Sequence, residues 1–319
     1  MRKNVNAENI EGKVYQFKLE KKITGENSKA PGTEFISGTV DVATSAAQDN
    51  IIQVHYTYVA PTYNSGKANT SFTALKQLME SGKTVLNDGW DAATVVKLNP
   101  SYSLNDFYRD QGEGELVSSP RNEGGFVVIT NENAIHPEGD IGRNKFEVDI
   151  VINNVTEVVP DEGDAYVVVK GITFDFRNTA LPITLTARNK AAGQYFLNLG
   201  ASNSNPIYTK VWGKIVNIFT KTEKRTESAF GEAAVEEVTK RTREYVITGA
   251  NPVPYEFDTE ETMTAAELTK ALQDREVALA ENKKRTIEYY ASQGAAKGGD
   301  LPFQAKAATA AVPQGGFKF

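Results

Sequence analysis

Residues that commonly ligate metals or attack carbonyls are scarce in this chain of 319 residues, which has no cysteine and only two imidazoles, His55 and His136. Without thiols there is no disulfide framework, thiolate metal site or cysteine nucleophile, and two distant histidines with no companion at zinc spacing offer neither a metal centre nor a Ser-His-Asp triad. Ser81-Gly82-Lys83-Thr84 has the ending of a phosphate-binding loop. Gln77 stands where that loop needs glycine, however, and the segment follows a helical pattern instead of preceding one. Asp161, Glu162 and Asp164 could offer carboxylates to a divalent ion, but their Pro-Asp-Glu-Gly setting reads as a solvated turn. The residues therefore predict no metal, no cofactor and no enzymatic activity.

The chemistry that remains is charge and stacking. The net charge of −6 divides into −5 over residues 1–140, +1 over 141–254, −4 over 255–290 and +2 over 291–319. Within the second block, residues 170–225 carry a local +7, interleaved with aromatic rings. A nucleic-acid strand offers phosphates to cations and base faces to rings, so this stretch supplies the candidate contacts. They are Lys170, Phe174, Phe176, Arg177, Arg188, Tyr208, Lys210, Trp212, Lys214, Lys221, Lys224 and Arg225. Alternation places Tyr208, Lys210, Trp212 and Lys214 on one face of a strand. Those two rings either stack on bases or cover a core with the lysines snorkelling at its rim. A second candidate surface is the hairpin holding Phe107, Tyr108, Arg109 and Arg121, with its counterpart from Lys221 to Arg243. His55, Tyr56 and Tyr58 could also stack bases, although a core role suits Tyr56 and Tyr58 equally.

The elements that must position these groups are mainly strands. Period-two alternation predicts strands over 13–24, 34–43, 50–59, 94–109 and 125–130, with a helix over 71–80. The order repeats over 146–158, 166–176 and 182–188, a helix near 191–199, then 207–221 and 243–248. Three strands, a helix and two strands is the order of the OB-fold, so the expectation is two tandem five-stranded barrels, 1–140 and 141–254. One large β-sandwich is the alternative. Thr264 and Glu267 form a capping box for a helix within 255–290. Its apolar stripe, Ala265, Leu268, Leu272, Leu279 and Ile287, must dock on the second barrel or pair with another copy. Residues 291–319 are predicted to form a disordered tail whose large apolar residues are Phe303, Phe317 and Phe319.

Asp300-Leu301-Pro302-Phe303 is similar to the Asp-Ile-Pro-Phe tip of bacterial single-stranded DNA-binding proteins, and the chain ends in the aromatic Phe319. With its strand-rich blocks, acidic helix and tail, the chain resembles the single-stranded DNA-binding proteins of tailed bacteriophages. That resemblance implies OB-type binding of single-stranded DNA in phage replication or recombination, with partner proteins recruited by Phe303, Phe317 and Phe319. The rival reading is a β-rich structural or assembly protein of a virion. No run of about 18 apolar residues or signal peptide is evident, so a cytoplasmic protein without membrane contact is expected, in the host bacterial cytoplasm if phage-encoded.

Overall fold

The computed structural model describes residues 4–26, 28–161, 163–226, 234–259 and 262–292, with backbone alone for 218–226 and 234–242. The expected tail residues Phe303, Phe317 and Phe319 lie outside the described residues. The chain opens with β1 (Asn6–Ile23), followed by β2 (Glu34–Ala43) and β3 (Ile51–Val59), both rich in β-branched residues. Helices α1 (Thr70–Ser81) and α2 (Val85–Asp88) precede β4 (Val95–Tyr108) and β5 (Leu116–Thr130). The second half repeats the plan with β6 (Asn144–Val158), β7 (Tyr166–Phe174), β8 (Ala180–Ala187), α3 (Lys190–Asn198), β9 (Ile207–Thr226) and β10 (Ala234–Ala250). Helix α4 (Ala265–Ser292) closes the described chain.

The ten strands join in one continuous sheet, because β1 pairs with β6 from Asn6↔Val148 to Ile10↔Asn144. Within that sheet the pairings run in two circuits. In the first, β1 pairs β2, β2 pairs β3, β3 pairs β5, β5 pairs β4, and β4 pairs β1. The second runs β6, β7, β8, β10, β9 and back to β6. Both circuits close through a parallel contact, β3 with β5 and β8 with β10.

Each circuit packs against its own helix. In α1, Asn69 accepts a hydrogen bond from the Ser71 N–H as N-cap, and Phe72, Leu75 and Leu78 recur at helical spacing to bury one face. Leu75 and Leu78 are fully buried, worth about 1.5–3 kcal/mol each. Asn189 caps α3 in the same way, and Phe196 is the buried anchor.

Helix α4 opens with the expected reciprocal cap: the Glu267 N–H donates to Thr264 Oγ1 at 3.1 Å, and the Thr264 N–H to Glu267 Oε2 at 2.9 Å. Its stripe docks on this chain, and on both halves. Leu268, Ala271 and Leu272 pack with Phe174, Ala180, Tyr208 and Met263 of the second half. Further along, Arg275 Nη2 lies 2.9 Å from Asp106 Oδ2, Asn282 Nδ2 donates to the Asp106 carbonyl, and Ile287 sits over Gly112 in the β4–β5 turn. No helix among the described residues is long and apolar enough to cross a membrane.

Candidate functional site

A groove of ≈ 1760 Å³ runs across the β2–β3 face and the β4–β5 hairpin of the first half and onto β7, β8 and β10 of the second. Its lining is set by cross-strand register. Lys18 of β1 stands opposite Thr39 of β2, Thr39 opposite His55 of β3, and His55 opposite Glu123 of β5. Side chains in such a row share a face. Arg121 follows on that face two residues along β5, and Lys170 of β7 and Arg243 of β10 enter from the second half. The cations lining the groove are Lys18, Lys22, Arg121, Lys170 and Arg243, against the carboxylates Glu20 and Glu244. Lys22 lies 3.3 Å from Glu20, and Glu244 is held by Arg188 at 2.6 Å. Among the described residues no ion pair neutralises Lys18 or Lys170.

Two rings open into the groove. Tyr58 is 49% exposed and lies against Phe35, centroids 4.7 Å apart at 36°. Strict alternation would place Tyr58 beside the buried Tyr56, but the register changes between Ile36↔Val59 and Gly38↔Tyr56. One extra residue on β3 therefore turns Tyr58 outward while Tyr56 stays in the core, as β-bulges do. Gly38 on β2 makes the crossing possible: its φ is +138°, and a Cβ would strike the Lys18 carbonyl oxygen.

The floor spans the halves. The Tyr102 hydroxyl donates to the Pro182 carbonyl at 2.7 Å, and its ring meets that of Tyr245 edge-on at 5.5 Å. The Tyr245 hydroxyl lies 2.9 Å from Asn122 Oδ1 and 3.1 Å from Glu8 Oε1. Burial pushes the Glu8 carboxyl up to about 8, against the opposing pull of Arg243 and of the Tyr245 hydrogen bond. Burial also raises the phenols of Tyr56, Tyr102 and Tyr245, so none ionises near neutrality. His55 is held below its ordinary value, first by burial and then by the guanidiniums of Arg121 and Arg243, against Glu123 and Asp41.

Of the twelve contacts expected from the basic stretch, Lys170 alone lines this groove, and Arg188 reaches its rim through Glu244; the other expected surfaces bring His55, Tyr56, Tyr58, Arg121 and Arg243 to it. Phe174 and Tyr208 cannot stack on a base: both are buried beneath α4, and Tyr208 lies stacked on Phe257 at 5.5 Å with its hydroxyl donated to Asn4. Helix α4 covers them because the strand face that reads as half-polar carries its apolar residues where the helix packs. Lys210 pairs with Glu147 at 2.8 Å, the Trp212 ring rests against Gly249, and Lys214 donates to the Gly139 carbonyl at 3.2 Å. These three occupy the outer face of β9, away from the groove. Phe176 and Arg177 are exposed together, the guanidinium 5.0 Å over the ring, and Phe176 lines a separate hollow with Phe126. Lys221, Lys224 and Arg225 belong to β9, and their side chains lie outside the described residues. Lys18 and Phe35 had no local mark in the sequence. They become visible only once β1 and β2 are placed in register.

A family model described as YorF matches residues 4–285. The chain is similar to a solved deletion mutant of the single-stranded DNA binding protein from Thermus aquaticus, at 10% identity and a TM-score of 0.47, over 82% of this chain and 100% of that one. No curated protein matches the sequence.

Proposed function

The chain belongs to the YorF family, and we propose that it binds single-stranded DNA without sequence preference, using the groove across its two halves. One observation carries the reading: five cations, the exposed Tyr58 and the half-buried Phe35 against it line one continuous groove. Flexible cationic side chains suit phosphates, and ring faces accept any base, which is the usual recipe for non-specific single-strand binding. We further read each circuit of pairings, with its helix between the third and fourth strands, as an OB-type barrel. That fold offers its strand two–three face and the hairpin of strands four and five to oligonucleotides, and the first half lines the groove with that face and with the two arms of the hairpin. In this reading binding is the whole activity. The same reading assigns the protein to phage replication or recombination in the host cytoplasm, with the tail residues Phe303, Phe317 and Phe319 docking on a partner protein.

Anisotropy of a labelled oligo-dT tests the reading. Affinity should fall steeply with salt, and Tyr58→Ala should weaken binding by about 1–3 kcal/mol at constant stability. An oligonucleotide that stays free at low salt and micromolar protein would end the proposal.

A further inference from the structure

The groove brings three nitrogen-rich side chains from three strands to one place. His55 stands on β3 opposite Glu123 of β5, and Arg121 lies on the same face of β5. Arg243 arrives from β10 of the other half, where its Nη1 donates to the carbonyl of Pro120, the residue next to Arg121, at 3.1 Å. Resting on the reading of the groove as a single-strand site, we propose that one backbone phosphate is held between His55, Arg121 and Arg243, and that His55 takes up a proton as the phosphate arrives.

The free site is prepared for this. Arg121 is aimed by Glu123, which accepts from its Nε at 3.0 Å and its Nη2 at 2.7 Å, while Thr57 Oγ1 binds the other carboxylate oxygen. Asp41, the second acid facing His55, is engaged by the amides of Gln16 at 2.7 Å and Gln53 at 2.8 Å. The two carboxylates are thus committed to protein donors. The imidazole feels a net positive surrounding from Arg121 and Arg243, which joins burial in keeping its proton off. A phosphodiester carries one negative charge. Placed here it cancels part of that field and offers an acceptor to an imidazolium, so the bound state favours the charged ring. The sign follows: the proton-binding affinity of His55 is lower in the free protein than in the complex. DNA affinity therefore rises as pH falls through the bound-state value and levels off below the free-state one. Each unit of separation between the two is a tenfold change in affinity.

The experiment follows oligo-dT binding between about pH 5.5 and 8, where thymine does not titrate, in the full chain and in His55→Gln. It also follows the imidazole proton resonances by NMR, with and without oligonucleotide. There are two histidines, and a His136→Gln protein assigns the signals. The proposal expects wild-type affinity to drop at least fivefold over this range, a flat profile for His55→Gln, and a His55 titration that moves to higher pH on binding. An oligonucleotide with a neutral methylphosphonate backbone should leave that titration in place. Tight binding with no pH dependence and an unmoved His55 titration would overturn the phosphate site while leaving the single-strand reading intact. An equal shift with the neutral backbone would also overturn it. Absence of any oligonucleotide binding would remove both.

Discussion

Glu8 is buried at 3% exposure where the two halves meet, and replacing it by glutamine should make the protein more stable at neutral pH. The reason is a proton count. One phenolic proton of Tyr245 faces two acceptors, Asn122 Oδ1 at 2.9 Å and Glu8 Oε1 at 3.1 Å. If Glu8 carries a proton it donates to the phenol oxygen, the phenol donates to Asn122, and Asn122 Nδ2 donates to the Gln53 carbonyl at 2.8 Å, so each donor in the chain finds an acceptor, while Glu8 Oε2 stays buried without a partner. An ionised Glu8 leaves that chain short of a donor in a dry site, and burial accordingly raises the carboxyl from 4.5 to about 8. In the unfolded chain Glu8 ionises above its ordinary value, so between about pH 4.5 and 8 the folded state binds the extra proton and stability falls as pH rises. At roughly 1.4 kcal/mol per unit, the loss reaches about 3 kcal/mol at pH 7. In Glu8→Gln the amide N–H₂ replaces the carboxyl proton and does not titrate. Urea unfolding followed by tryptophan fluorescence should show the variant gaining on wild type by about 1.4 kcal/mol per pH unit from 5 to 7, the gain levelling off near pH 8. A difference between the two proteins that is constant across this range would refute the argument.

Glu11 predicts an opposite limb at acid pH. Burial alone would raise it, but hydrogen bonds from Asn9, from the backbone and ring of His136 and from Lys97 overcome that and hold it at about 2. Its contribution is present above the ordinary carboxyl value of 4.5 and is lost as pH falls towards 2, and Glu11→Gln should flatten that part of a pH–stability curve. Gly38→Ala should lower the melting temperature by many degrees or prevent folding, because its φ of +138° and the adjoining Lys18 carbonyl both exclude a Cβ. Arg275→Ala leaves the Asp106 carboxylate, 16% exposed, without its cation and should cost about 2 kcal/mol. Limited proteolysis should then release α4 sooner than in wild type, and equal release rates would mean that the bridge does not hold the helix.

What the sequence made legible follows from how local each determinant is. The α4 cap was readable because Thr264 and Glu267 act across three residues, and β2 was readable to its ends because one of its faces is apolar. The first seven residues of β1 were not, since Asn6, Glu8 and Glu11 interrupt the alternation. They are inside for a different reason, hydrogen bonding at the junction. The start of β5 was missed likewise: Ser118-Ser119-Pro120-Arg121-Asn122-Glu123 pairs with β4 in a hairpin arm without an apolar face. Charge was legible as a count along the chain but not as a surface. Lys210 belongs to the +7 stretch, yet Glu147 from β6 stands beside it, while Lys170, Arg243 and Lys18 come from distant segments into one groove.

The polar junction also explains why a groove between two halves can be a defined site. Two apolar faces would adhere in many relative positions at similar energy, since hydrophobic contact is not directional. Here the halves share an apolar core, and directional bonds are added to it that fix how they meet. Asn50 Nδ2 donates to the Ile215 carbonyl at 3.0 Å, Asn217 Nδ2 to the Ile51 carbonyl at 3.0 Å, and the Tyr102 hydroxyl to that of Pro182 at 2.7 Å. The β1–β6 ladder adds backbone bonds, and α4 fastens the β4–β5 turn to the second half from the other side. Any slip of one half over the other breaks several buried hydrogen bonds at once, each expensive to leave unmade. The strands that carry Lys170 and Arg243 are therefore fixed relative to those that carry His55 and Arg121, so in the proposed site little reordering of the backbone would oppose binding. The polar residues that hide β1 and β5 from a hydrophobic pattern are the ones that set the groove's geometry.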